Sequence, residues 1–256
     1  MNKGLKDFLF RVRYGFRGVP LLFQGRTLRL DESLRRWSPQ NEWDVQKEIC
    51  EHLRPGDVFV DVGANFGLHA LLGASCVGPG GHVYAFEPVP ANCQLLERHI
   101  ALNDFGGRMT LVPKAVAETA GGTLELHGVQ EGLTFAASIG KRGAEDVVIK
   151  VPVTTLDEAL AKRTKPVRLI KIDVEGAEHL VLRGMRQLIE RDHPLLLIEV
   201  HTYALPAFGS SAEKLREDLA ELGYAERVID RIDGVEGAYF HAMYQANGNH
   251  PAKSAA

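Results

Sequence analysis

The run Val58-Phe59-Val60-Asp61-Val62-Gly63-Ala64-Asn65-Phe66-Gly67 constrains the fold more than any other part of the chain. A short apolar strand ends on a carboxylate and breaks into a glycine-bearing turn. A helix follows at once, with Leu68, Leu71, Leu72 and Ala74 on its apolar side. The unit is strand, tight turn, helix, and it delivers Asp61 to the strand's carboxyl end. Such a turn lets a ligand approach bare backbone at a helix N-terminus. A second apolar strand, Val83-Tyr84-Ala85-Phe86, ends on Glu87. A right-handed crossover places it at the neighbouring strand tip, where an acid about 20 residues beyond a glycine turn can accept hydrogen bonds from both hydroxyls of a ribose. Residues 63–67 lack the third glycine of a dinucleotide fingerprint, so a nucleoside cofactor without a pyrophosphate suits the turn better.

The rest of the chain repeats this logic. Apolar segments at 109–112, 167–172 and 195–198 read as further strands, the last two ending on Asp173 with Glu175 and on Glu199 with His201. Helices are expected at 41–53, from Pro90 onward, behind Asp173 with Val181, Met185 and Leu188 on one face, and from the capping box Ser210-Ser211-Ala212-Glu213. Asp157, after Thr154 and Thr155, reads as a helix N-cap, and Glu178 as a first-turn acid favoured by the helix dipole. Residues 23–30 suggest a small hairpin, and two last strands fall near 225–229 and 237–244. Between 118 and 156 the spacing changes to short alternating strands, an inserted antiparallel hairpin whose tip at 133–138 is a candidate acceptor-shaping loop. The expected fold class is α/β, one domain at 41–246, with an N-terminal extension over 1–40 and a disordered tail over 247–256.

Composition excludes several classes. Thirty basic residues against 33 acidic ones give a formal charge of -3, so no global positive field exists to hold nucleic acid. Cys50, Cys76 and Cys93 form neither a zinc motif nor a disulfide framework, and their reduced state fits a cytoplasmic protein. Residues 1–17 mix basic and apolar side chains without a continuous apolar run. They predict a helix packed on the core, in preference to one lying on a membrane surface, and no membrane span. Exposed edges of the insertion offer a surface for homo-oligomer pairing.

The polar groups therefore collect at strand ends: Asp61 and Glu87 for a nucleoside cofactor, then Asp173, Glu175, Glu199 and His201 facing a substrate. At this point the chain resembles a known family. Asp61-Val62-Gly63-Ala64-Asn65-Phe66-Gly67, Tyr84-Ala85-Phe86-Glu87-Pro88-Val89-Pro90, Thr155-Leu156-Asp157, Lys171-Ile172-Asp173-Val174-Glu175-Gly176-Ala177-Glu178 and Ile198-Glu199 occur in the order seen in FkbM-type methyltransferases. The resemblance spans roughly residues 41–201. It implies a class I methyltransferase (Rossmann-like) fold: a mostly parallel seven-stranded sheet, its last strand antiparallel, with helices on both faces. It also implies S-adenosylmethionine as cofactor and an oxygen acceptor, often a hydroxyl on a sugar, glycan or natural-product small molecule.

Carried across, Asp61, Gly63 and Asn65 border the methionine and ribose portions, Glu87 the ribose hydroxyls and Ala115 the adenine. Ala64, Gly67 and Pro88 complete the cofactor-binding set. Asp173 and Glu175 border the transferred methyl. His69 departs from the family's usual residue and receives no role. Methyl transfer to an alcohol requires alignment, exclusion of water and a base within reach. Asp173 is the first choice, His201 the second because its unperturbed pKa suits proton removal, and Glu199 either orients His201 or pairs with a buried cation. A metal held by Asp173 with Glu199 and His201 is conceivable, but a single histidine with mixed acids argues against it. Two other classes remain open: a nicotinamide-dependent oxidoreductase, disfavoured by the missing pyrophosphate cradle, and a non-catalytic module that binds the same cofactor.

Overall fold

The computed structural model describes residues 13–129, 147–234 and 237–247. Strands β1 (Val19–Phe23) and β2 (Arg26–Leu30) pair antiparallel across Gln24 and Gly25. Those two residues have φ of 46° and 75°, the double positive φ of a two-residue hairpin whose twist matches its strands. Phe23, Leu28 and Leu30 are fully buried in the same cluster as residues of helices α1 (Trp43–His52) and α2 (Leu68–Val77). The hairpin inside the expected extension thus belongs to the core of the main domain.

Strands β3 (Val58–Val62), β4 (His82–Phe86) and β5 (Met109–Val112) alternate with α2 and α3 (Pro90–Leu102). After β6 (Ala115–Val116), β7 (Thr123–Val129), β8 (Val147–Thr154) and α4 (Leu156–Ala159) come β9 (Val167–Ile172), α5 (Glu178–Arg183), α6 (Arg186–Asp192) and β10 (Leu195–His201). Helix α7 (Ala212–Glu221), β11 (Tyr224–Gly234) and β12 (Gly237–Ala246) close the order. The central sheet runs β11-β12-β10-β9-β3-β4-β5. From β10 to β5 every pairing is parallel, and β12 is antiparallel to both its neighbours. The order reverses at β3, so a crevice opens at the carboxyl ends of β3 and β9.

The period of two along each strand decides what that crevice contains. Val58, Val60, Val62, Ile170, Ile172, Leu196 and Ile198 join the cluster under α4 to α7, whereas Phe59, Leu169, Leu195, Leu197 and Met243 join the cluster under the hairpin, α1 and α2. Continuing this second set along the same face gives Asp61, Lys171, Glu199, His201 and His241. Register confirms the alignment: Asp61 pairs with Lys171, and Glu199 with His241. One face of the sheet therefore turns from apolar to ionic.

Four local expectations are revised. The hairpin expected between 118 and 156 is part of a three-stranded sheet: β7 pairs antiparallel with β8, and β6, just before the insertion, pairs with β8 in parallel. The single helix behind Asp173 is two helices. Gly184 passes so close to the backbone of Ala117 that an added Cβ would lie 2.1 Å from its carbonyl oxygen, and the second helix starts afresh. Asp157 is not the cap of its own helix: Thr155 takes the Glu158 N–H, while the Asp157 carboxylate accepts N–H groups of Gln187 and Leu188 at 3.1 and 2.8 Å, serving the start of α6. Cys50 and Cys76 are less separate than their spacing suggests, with sulfurs 3.4 Å apart where α1 meets α2. Among the described residues no helix is long and apolar enough to cross a membrane. The insertion's tip at 133–138, the basic segment before residue 13 and the tail from 248 lie outside the described residues.

Candidate active site

The crevice has two halves that meet at the turn after β3. Gly63 has φ of 80°, and a Cβ there would lie 1.8 Å from the carbonyl oxygen of Asp173, so only glycine lets the turn after β3 rest on the turn after β9. Gly63 and Ala64 donate their N–H groups to the Phe86 carbonyl at 3.0 and 2.9 Å, which ties the turn to the end of β4. Glu87, 4% exposed, stands there. Its two oxygens accept the N–H groups of Asn65 at 2.8 Å and Val89 at 2.9 Å. Burial pushes the Glu87 carboxyl up to about 7, and these N–H bonds limit the rise. Gly63, Asn65, Pro88, Ala115, Leu126 and Val174 surround the space beside it, about 670 Å³ including its open mouth.

The second half is ionic. Trp37, Glu42, His69, Lys171 and Glu199 line it, and Gly63, Asn65, Asp173 and Glu175 line both halves. Trp37 stands edge-on to Phe66 at 4.9 Å between centroids and walls off one side. His69 is buried with Nε2 3.2 Å from Glu42 Oε2, and burial holds its imidazole well below the usual range, hence neutral.

Lys171 is buried on the strand face, where its ammonium lies 2.9 Å from Asp173 Oδ2 and 3.9 Å from Asp61 Oδ1. Burial disfavours its charge, but Asp173, Asp61, Glu42 and Glu199 outweigh that and keep it protonated. Asp61 is fully buried, and among the described residues neither of its oxygens has a hydrogen-bond partner. Burial raises its pKa to about 6 against the pull of Lys171.

Beyond Lys171 a chain of acids and imidazoles crosses the sheet. Asp230 Oδ1 lies 2.7 Å from His241 Nδ1, and His241 Nε2 lies 3.2 Å from Glu199 Oε2. Glu199 Oε1 is 3.4 Å from His201 Nε2, and His201 Nδ1 is 2.8 Å from Glu178 Oε1. Burial works against the charge on both imidazoles, yet Glu199 with Asp230 raises His241 to about 9, and Glu178 with Glu199 raises His201 well above its ordinary value. The same two imidazoles hold Glu199 below the carboxylate range despite its burial. Glu178 is therefore more than a dipole-favoured surface acid. It is fully buried, accepts the N–H of Gly176 at 2.9 Å and fixes one side of His201.

Of the residues singled out by sequence, Gly63, Asn65, Glu87, Pro88 and Ala115 come together in the first half, and Asp173, Glu175 and Glu199 in the second. His201 sits behind Glu199, 3% exposed. Ala64 lines the second half, and Gly67 is the left-handed cap of α2, its Cα hydrogen facing Leu96. Asp61 lies under the turn against Lys171 and lines neither half. Sequence reasoning passed over Lys171, Glu42 and His241. Lys171 had a signal, since a lysine inside an apolar strand needs buried carboxylates as partners. His241 had none, because its place depends on the antiparallel register of β12.

The first half suits a nucleoside: a buried acid at one end of an open slot, small Ala115 at the other, and backbone tightly turned between them. The strand order with its single reversed strand, together with that slot, defines the class of S-adenosylmethionine-dependent class I methyltransferases. A putative methyltransferase from Streptococcus mutans, solved in complex with SAH, shares the fold: TM-score 0.51 at 10% identity, over 78% of this chain and 94% of that one. The Methyltransferase FkbM domain matches residues 61–225, and the chain belongs to that family. The 31-O-demethyl-FK506 methyltransferase FkbM of Streptomyces tacrolimicus is 34% identical over 181 residues, 58% of this chain and 67% of the relative. Hexuronic acid methyltransferase AglP of Haloferax volcanii is 25% identical over 174 residues, 63% of each.

Proposed function

We propose that this methyltransferase transfers the methyl group of S-adenosylmethionine to a hydroxyl oxygen of a sugar, glycan or natural-product small molecule. The observation that carries the reading is the junction of the two halves: Gly63, Asn65, Asp173 and Glu175 border both. A donor in the first half and an acceptor in the second would then meet beside Asp173. The name of one relative, 31-O-demethyl-FK506 methyltransferase, supports an oxygen acceptor, and that of another, hexuronic acid methyltransferase, supports an acceptor of the sugar type.

The cofactor supplies an activated methyl group on a sulfonium sulfur. The chain's own residues supply position and charge. Glu87 accepts hydrogen bonds from the ribose hydroxyls once it is ionised, and Ala115 leaves room for the adenine. Asp173 takes up the acceptor's proton, and Lys171, 2.9 Å away, holds the carboxylate in place. Trp37 and Phe66 shield this side from water. Glu199 and His201 set the field behind Asp173.

Calorimetry with S-adenosylhomocysteine should give a Kd in roughly the micromolar range, and labelled methyl should pass to one class within a panel of hydroxylated sugars and polyketides. In Asp173→Asn, kcat should fall by about 10²–10⁴ with donor affinity kept. A wild-type chain that binds neither S-adenosylmethionine nor its demethylated product refutes the reading.

A further inference from the structure

The ionic half contains more than one proton acceptor requires. His201 is 3% exposed, and its Nδ1 lies 2.8 Å from the fully buried Glu178. A carboxylate on Nδ1 keeps a proton there and turns the other nitrogen outward as a donor of its lone pair. Around Nε2 stand Glu199 Oε1 at 3.4 Å, Glu175 Oε2 at 3.6 Å and Asp173 Oδ1 at 3.9 Å. One ligand atom each from Asp173, Glu199 and His201 can be chosen so that all lie within 4.8 Å of one another. Around a hard cation held at about 2.1–2.4 Å, ligand atoms stand about 3.0–3.4 Å apart when adjacent and about 4.2–4.8 Å apart when opposite.

The other oxygen of each carboxylate is already engaged. Asp173 Oδ2 holds Lys171 at 2.9 Å, and Glu199 Oε2 faces His241, itself fixed by Asp230 at 2.7 Å. All three groups thus have a buried outer partner, the arrangement that orients metal ligands before the metal arrives. Glu175 and Gly176 are held at φ of 55° and 104°, so the turn carrying Asp173 is locked by backbone geometry as well. The carboxylates of Asp173, Glu175, Glu178 and Glu199 crowd a space where Lys171 is the permanent cation among the described residues.

We propose that Asp173, Glu199 and His201 form a binding site for a hard divalent cation of the Mg²⁺ or Mn²⁺ class at the acceptor end of the crevice. Two carboxylates with one imidazole suit such a cation and leave positions open toward the crevice. The inference rests on the methyltransferase reading only for its purpose: the open positions face the place given to the acceptor hydroxyl. A hydroxyl oxygen held there is more acidic. With the cation bound, Asp173 would serve as a ligand and Glu175 would take the proton in its place; the new O–C bond forms as the C–S bond breaks, and the bonding pair stays on sulfur, so no oxidant or reductant is needed.

The test is a titration of the EDTA-treated 256-residue chain with Mn²⁺, free ion being read by electron paramagnetic resonance. We expect about one equivalent bound, displaced by excess Mg²⁺, with affinity at least about tenfold lower in Glu199→Gln and in His201→Ala. Glu125→Gln, an exposed acid near Lys150, should bind as wild type does; an equal loss there means non-specific uptake and overturns the site. No uptake by wild type also overturns it, and leaves an imidazolium bridging Glu178 and Glu199 as the account of the cluster. Should a variant fail to fold, as judged by circular dichroism, displacement of Mn²⁺ by Mg²⁺ from wild type decides. Calorimetry with S-adenosylhomocysteine on the same samples separates the two readings: binding of that product without Mn²⁺ uptake overturns the cation site alone, and the converse overturns the methyltransferase reading alone.

Discussion

The half of the crevice around Glu87 is anchored on two consecutive strand-turn-helix units and closed by Ala115, Leu126 and Val174, whereas the half around Glu199 gathers side chains from β9, β10, α2 and the residue before α1, backed by Asp61 of β3 and His241 of β12. The first is held by backbone: Phe86 takes two N–H groups of the turn, and Glu87 takes two more. The second is held by charge, with Lys171 between two acids and His241 and His201 on either side of Glu199. A backbone-built site changes shape little when one side chain is lost. A charge-built site loses its balance, because each ion stays buried through its neighbours.

Lys171→Met should break this contrast most. It leaves Asp61 and Asp173 without their cation, and the expected loss is about 3–5 kcal/mol of stability. Urea unfolding would measure it; a change under about 1 kcal/mol would mean that the ionic half does not depend on its central ion.

Glu87→Ala acts on the other half. Removing the acceptor proposed for the two ribose hydroxyls should weaken S-adenosylhomocysteine binding by about 1.5–3 kcal/mol, roughly ten- to hundredfold, in calorimetry. The same acid gives a pH signature. Its folded pKa of about 7 stands above the ordinary 4.5, so the protonated form favours the folded chain. That contribution is present below about 4.5 and is lost as pH rises through about 7. On the proposed ribose contact donor binding uses the ionised form, so it should weaken as pH falls below about 7, and Glu87→Gln should flatten both dependences. A wild-type affinity constant across this window would argue that the ribose does not meet Glu87.

The smallest effect belongs outside both halves. Asp157→Ala removes the acceptor of two N–H groups at the start of α6 and should cost about 1 kcal/mol of stability with donor affinity unchanged. A loss of binding there would show that this family motif reaches the crevice, against its position.

These contrasts follow what a linear reading can reach. The glycine turn and Glu87 lie within one strand-turn-helix-strand segment, so their spacing in the chain is nearly their spacing in space, and the slot was legible. Asp61 shows the limit. Its place at the end of β3 was readable, but the alternation of side chains aims it at Lys171 and away from the slot. Asp157 was recognised as structural, yet the helix it serves is not its own. Glu178 reads as an ordinary first-turn acid until β10 brings His201 against it.

The strand ends, the glycine at position 63 and the order of parallel units were determined by the residues themselves, because apolar period and turn chemistry act over a few positions. Which acids share Lys171, and which imidazoles hold Glu199, was decided only by tertiary structure. Those contacts need the register between β3 and β9 and the reversed pairing of β10 with β12. Register is a property of two strands at once, and a shift of one residue would turn every one of these side chains to the opposite face.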